Sequence, residues 1–171
     1  VLNVNGFDTH DSQVIGGSTT TGTHADLMKR VSDAVSAFQN DLMLLGLEDR
    51  VAGMTFSEFG RQVASNASFG TDHGDAAPLF LFGSCVDFSL MGTNPVVGNT
   101  IINQEGIPMQ YDFRDIYASI LKDWFGVATS EIQTLFEHSI TYYNLFGACA
   151  VGIKEEDLKK RGNDRESTPV K

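Results

Sequence analysis

The feature that most constrains this chain is one long apolar stripe set between two strand-like runs. Leu27, Met28, Val31, Val35, Phe38, Leu42 and Leu45 recur at intervals of three and four residues, the period that gathers side chains on one side of an α-helix. Thr23 stands where a cap belongs and Gly46 where a helix stops, so the spacing predicts a helix from His24 to Leu45. Ahead of it, "VLNVN" (1–5) reads as a strand; after it, "VAGMTFS" (51–57) reads as another, and "LFLFG" (79–83) has the length of a buried strand. Strand, long helix, strand is the order that gives parallel pairing through a right-handed crossover. The predicted fold is therefore α/β, with 1–5, 51–57 and 79–83 in one sheet and the helix packed on its face.

Farther along, residues 84–111 hold many Gly, Asn and Pro and read as a hairpin or an extended excursion. Asp112 can cap a second helix through "FRDIYASILKDWFG", with Phe113, Ile116, Ile120 and Trp124 inward and Gly126 at its end. A shorter helix near "SEIQTLF" follows. One domain is expected over 1–153, and the polar, mixed-charge tail 154–171 is expected to be flexible.

The net charge of -10 is concentrated in the body. Residues 154–171 carry six Lys/Arg against five Asp/Glu, whereas the preceding 153 carry six against seventeen. A surface this acidic repels phosphate backbones, which argues against nucleic acid and anionic membranes as partners. No stretch approaches the ~20 apolar residues of a membrane span. The N-terminal residues have neither a basic region nor the apolar run of a signal peptide; the chain is expected to be trimmed or to be the back half of a longer protein. Cys85 and Cys149 lack CxxC spacing and lie in apolar settings, which suits two buried thiols and also permits one disulfide.

Chemistry-bearing residues cluster just outside the expected strands. They are Asp8-Thr9-His10-Asp11, Ser57-Glu58-Phe59-Gly60-Arg61, and Asp72-His73 between glycines. Ligands of open α/β sheets bind beyond the carboxyl ends of strands, and carboxylates with imidazoles suit Zn²⁺, Mn²⁺ or Fe. The alternative for each cluster is ordinary: Asx turns at Asp8, Asp11 and Asp72, a surface His10, an ion pair between Glu58 and Arg61. His24, heading a helix, suits a solvated or capping role, and His138 is given none. There is no G-x-S-x-G, no phosphate-binding Gly loop ending in Lys-Ser/Thr, and no H-E-x-x-H.

Taken in order, "GFDTHDSQ", "TFSEFGRQVASNASFGTDHG" and "DFRDIYASILKDWFG" resemble a family of secreted bacterial proteins of unassigned function related to the alkaline phosphatase and sulfatase superfamily. The resemblance covers about residues 1–147. It implies a three-layer α/β/α, alkaline-phosphatase-like domain of which this chain is the C-terminal half, and a periplasmic or extracellular location. It also implies a metal-dependent hydrolase of phosphate or sulfate esters, acting on a small anionic ester. Asp72 and His73 match the superfamily's Asp-His pair at one metal, and Asp8 and His10 are the nearest match at a second. Their separation of two residues departs from the superfamily's usual four. Glu58 would be a further ligand or an orienting group, and Arg61 would steady the anionic substrate. The metal implied is divalent, Zn²⁺ first, with Mn²⁺, Fe or Ca²⁺ as alternatives. The nucleophile would come from the N-terminal half, and that half or another chain would complete the sheet. The competing expectation is a secreted binding or structural protein that keeps the fold without turnover.

Overall fold

The structure is a computed structural model that describes residues 1–87, 89–102 and 105–147. The described residues divide into two compact units, one within 1–84 and 91–110, the other within 85–90 and 111–147. The first unit carries the candidate site.

Helix α1 spans Thr23–Leu44, within one residue of expectation at each end. Its cap is Gly22, at φ 119°, rather than Thr23, which is the first helical residue. At the other end the Leu47 amide donates to the Leu42 carbonyl at 2.8 Å and Gly46 adopts φ 63°. This is the left-handed closure that glycine makes without steric cost. The apolar stripe is only partly buried: Leu27 and Leu42 are inside, Val31 and Val35 half-buried, and Met28, Phe38 and Leu45 exposed. Among the described helices and strands, α1 touches only the 3₁₀ turn Glu48–Arg50, so the expected packing on a sheet face is not found among them. Its first turn instead abuts the N-terminal segment, where the His24 ring meets Phe7 edge-on at 6.0 Å.

Of the three expected strands, 51–57 and 79–83 each hold a short strand and the two pair, but the direction and the rest of the pairing depart from expectation. Strand β1 (Gly53–Met54) pairs antiparallel with β4 (Leu81–Phe82), and β2 (Gly60–Ser65) pairs antiparallel with β3 (Thr71–Gly74). Thus two short two-stranded ladders replace the single parallel sheet among the described residues. Residues 1–5 form no ladder and lie exposed. A strand exists only through a neighbour, and an apolar alternation with none beside it stays extended and solvated. The stretch 62–77, which lies between the expected strands 51–57 and 79–83, supplies most of the β2–β3 hairpin. Asn66 closes its turn by accepting from the Ser68 and Gly70 amides, both at 3.0 Å. This local closure costs far less loop entropy than a crossover. Among the described residues the architecture is mixed α/β, with few, short strands and three α-helices.

In the second unit, α2 (Phe113–Asp123) begins as expected at Asp112, whose carboxylate accepts from the Arg114 amide at 2.9 Å. Its buried face is Asp115, Ile116, Ala118 and Ser119. Phe113, expected inward, is 55% exposed, while Ile120 and Trp124 are half-buried. Ile116, expected inward, is buried, and the buried face is completed by Asp115, Ala118 and Ser119 rather than by Phe113. Helix α3 (Thr129–Leu135) adds the fully buried Ile132. His138, assigned no part from the sequence, makes a 2.8 Å hydrogen bond with the buried Asp115. It thereby provides the partner a buried carboxylate requires.

Cys85 is 2% exposed and disulfide-bonded rather than a free thiol. Cys149 lies outside the described residues, as do the tail 154–171 and its expected boundary after 153. No helix among the described residues is long and apolar enough to cross a membrane.

Candidate functional site

The site forms where residues 7–13 run along the free edge of the β2–β3 hairpin. The Thr71 amide donates to the Thr9 carbonyl at 3.2 Å, Asp11 bridges Phe69 in antiparallel register, and the Ser12 and Gln13 amides donate to Ser68 and Phe69 carbonyls at 3.0 Å. This close run depends on Gly70: a Cβ there would lie 2.2 Å from the carbonyl carbon of His10. The glycines flanking Asp72-His73 therefore serve close approach rather than a sharp bend, since neither Gly70 nor Gly74 has a positive φ. Beneath, the buried Thr9 hydroxyl and the Thr71 hydroxyl both donate to Gln13 Oε1 at 2.8 Å.

Arg61 lies opposite His73 in the ladder. Its guanidinium donates to the carbonyls of Phe7 and Thr71 and to Asp8 Oδ1, each at 2.7 Å. It is thus a clamp that fastens the N-terminal segment to the hairpin, with the planar fork that such three-way binding requires. Most of its donors are occupied within the protein.

Three of the four expected ligands converge. Asp8 Oδ1 lies 2.9 Å from His73 Nε2 and 3.1 Å from His10 Nε2, and the two imidazole nitrogens are 3.2 Å apart. The fourth, Asp72, sits on the far side of His10: its Oδ1 is 3.1 Å from Nδ1 of that ring and also accepts from Asn66 Nδ2 at 3.2 Å. Neighbouring side chains of a strand leave from opposite faces, and His10, arriving at the strand edge, touches both Asp72 and His73. The Phe59 ring stacks on His73 with centroids 3.7 Å apart and planes 13° off parallel. Glu58 is exposed at the bend before β2 and makes no hydrogen bond or ion pair among the described residues.

Electrostatics follow the contacts. The hydrogen bond from His73, with the charges of His10 and Arg61, holds the Asp8 carboxyl below its ordinary value. The hydrogen bond to His10, and then that from Asn66, does the same for Asp72. Both groups are therefore carboxylates at neutral pH.

A cation is a fair test of such a set. Two ligand atoms held at about 2.0–2.1 Å by one tetrahedral ion lie about 3.3 Å apart. The spacings of 2.9, 3.1 and 3.2 Å approach that value. One carboxylate oxygen and two imidazole nitrogens also form the mixed donor set that borderline divalent metals take. Asp8, His10 and His73 are each about half exposed, so the open side faces solvent. Asn66 and Phe59 were not assigned roles from the sequence; the Asn-x-Ser turn "NAS" ahead of Gly70 is the signal that marks the first, and nothing marks the second.

A family model matches residues 1–136, most of the chain, and its description is a protein of unknown function, DUF1501. The chain belongs to the DUF1501 family. Every group of the cluster, with Arg61 and Asn66, lies inside the matched span. No curated protein and no solved structure matches the chain. Family membership thus agrees with the uncharacterised family expected from the motifs and supplies no activity.

Proposed function

We propose that this DUF1501 chain holds a divalent cation, Zn²⁺ first among the candidates, at Asp8, His10 and His73, and contributes that centre to hydrolysis of a small phosphate or sulfate ester. The observation that carries the reading is the convergence of one carboxylate and two imidazoles within 4.8 Å of one another. Bound there, the ion would supply Lewis-acid polarisation of an ester oxygen. The chain's own part is to hold the three ligand side chains in place: Arg61 ties Asp8 to the hairpin, and the β2–β3 ladder and the Phe59 stack fix His73. One ion shared by both motifs replaces the pair suggested by the resemblance, because Asp8 and His73 meet in a single cluster. The open, solvent-facing side leaves room for an anionic ester. Glu58 is free to orient such a substrate from the neighbouring bend.

The finer architecture belongs to the same proposal. This chain would be part of a three-layer, alkaline-phosphatase-like domain, with a further segment or another chain completing the sheet and supplying the nucleophile. A periplasmic or extracellular setting suits it, since the disulfide at Cys85 persists in oxidising compartments.

One observation favours a metal-free scaffold instead. Asp8 already accepts from Arg61, and Asp72 from Asn66, so the carboxylates have partners without a cation. Metal analysis of the native protein, with phosphatase, sulfatase and phosphodiesterase assays, separates the readings. About one equivalent of metal, lost in Asp8→Ala together with hydrolysis, is the expected result. Metal without turnover would leave a metal-binding scaffold, and neither would leave a structural protein.

A further inference from the structure

We infer that Asp72 and Asn66 act on His10 as positioning residues, fixing its ring with the proton on Nδ1 and the Nε2 lone pair turned toward Asp8 and His73. The inference rests on the proposed metal reading for its purpose, though not for its geometry. The two nitrogens of an imidazole point in divergent directions. His10 has Asp72 Oδ1 at 3.1 Å from Nδ1, and Asp8 Oδ1 and His73 Nε2 at 3.1 and 3.2 Å from Nε2. A carboxylate cannot hydrogen-bond one pole of the ring and share an ion bonded at the other without leaving its partner. Both carboxylates are ionised acceptors at 3.1 Å, but only Asp72 meets its ring nitrogen in hydrogen-bonding geometry, while Asp8 lies near Nε2 without a hydrogen bond. Asp72 therefore selects the tautomer that carries hydrogen on Nδ1.

Asn66 makes that arrangement rigid. Its Oδ1 accepts from the Ser68 and Gly70 amides at 3.0 Å, which fixes the side chain on the turn. Its Nδ2 then donates both to Asp72 Oδ1 at 3.2 Å and to the His10 carbonyl at 2.7 Å. One amide thus holds the carboxylate and the backbone of the histidine that the carboxylate orients. A carboxylate behind a ligating imidazole aligns the ring and raises its basicity, and loss of such a partner typically weakens metal binding by about 10–100-fold.

Two measurements on the full chain test this. In the metal-free protein, ¹⁵N NMR of the imidazoles should place the His10 proton on Nδ1. Asp72→Ala should move it toward Nε2, whereas Asp72→Asn, whose amide oxygen still accepts, should keep it. A proton on Nε2 in the wild type, or a tautomer indifferent to Asp72→Ala, overturns the inference. Titration with Co²⁺ supplies the second readout. Asp72→Ala and Asn66→Ala should lower affinity by about 10–100-fold while leaving the visible bands of the bound ion where the wild type has them; His73→Ala should displace them. Bands displaced in Asp72→Ala as in His73→Ala would make Asp72 a ligand and overturn the inference. If the wild type takes up no Co²⁺, the metal reading fails by itself, and the NMR result alone decides the inference about His10.

Discussion

At the scale of single residues, two of the three contacts of Arg61 go to main-chain oxygens that no sequence pattern announces. Three hydrogen bonds at 2.7 Å join it to Phe7, Asp8 and Thr71, two residues of the N-terminal segment and one of the hairpin. Arg61→Lys should therefore cost about 2–3 kcal/mol, since an ammonium cannot reproduce the fork and each lost bond is worth roughly 1 kcal/mol. A urea titration measures it; a stability change below about 0.5 kcal/mol would mean that the clamp carries no weight. Gly70→Ala tests the same junction from the other side. Its Cβ would lie 2.2 Å from the His10 carbonyl carbon and 2.6 Å from the Asp11 nitrogen, all backbone. The N-terminal segment must then move off the hairpin edge, with an expected cost of 2 kcal/mol or more, on the order of other core steric insertions, and metal affinity falls with it. Calorimetry on this variant with Zn²⁺ checks both. The sequence marks Asp8, His10, Asp72 and His73 as candidate ligands by side-chain type alone; the fold gathers Asp8, His10 and His73 and leaves Asp72 on the far side of His10. From the sequence, Arg61 reads as a group for an anionic substrate or an ion pair with Glu58, and Asn66 is given no role, since what each does depends on which groups the fold brings beside it.

Among the elements, the helices were readable. Of the expected strands, 51–57 and 79–83 contain β1 and β4, which do pair, but antiparallel and over two residues. Residues 1–5 join no ladder, and β2 and β3 are not among the expected strands. A helix makes its hydrogen bonds within one contiguous segment, so the periodicity from Leu27 to Leu45 and the Gly46 stop placed α1 to within a residue. Strand pairing depends on distant segments, and the chain chose the short antiparallel return from β2 to β3 over a crossover. Helix α2 offers a quantitative check on a boundary read correctly. Asp112 accepts from the Arg114 amide and from its guanidinium at 2.6–3.2 Å, and these bonds hold its carboxyl at about 2, below the ordinary 3.8. The folded state thus binds this proton more weakly than the unfolded chain does. The stabilisation is complete above about pH 3.8 and disappears as pH falls through about 2. Asp112→Ala should cost about 1–2 kcal/mol at pH 6, and the gap between variant and wild type should close by about pH 2. Chemical denaturation at the two pH values tests it, and a gap independent of pH would remove the charged cap from the account.

For the whole molecule, the amphipathic stripe of α1 raises the question of how much burial the pattern delivers. Periodicity predicts which residues share a face, but not how much of that face finds something to pack on, because the packing partners lie in other segments. Leu42 reaches 6% exposure, whereas Phe38, one turn away on the same stripe, remains 46% exposed. Hydrophobic stabilisation follows the apolar area removed from water rather than the type of side chain. Leu42→Ala should therefore cost about 2–4 kcal/mol, as for a buried leucine losing its methyl groups and leaving a cavity. Phe38→Ala should cost less than about 1.5 kcal/mol, although it removes the larger side chain, because nearly half of that ring is already hydrated. Urea midpoints of the two variants at equal slope give the comparison directly. If Phe38→Ala proved the more damaging, the ring would have to be covered in solution by something other than the described residues, and the stripe would be buried along its whole length after all.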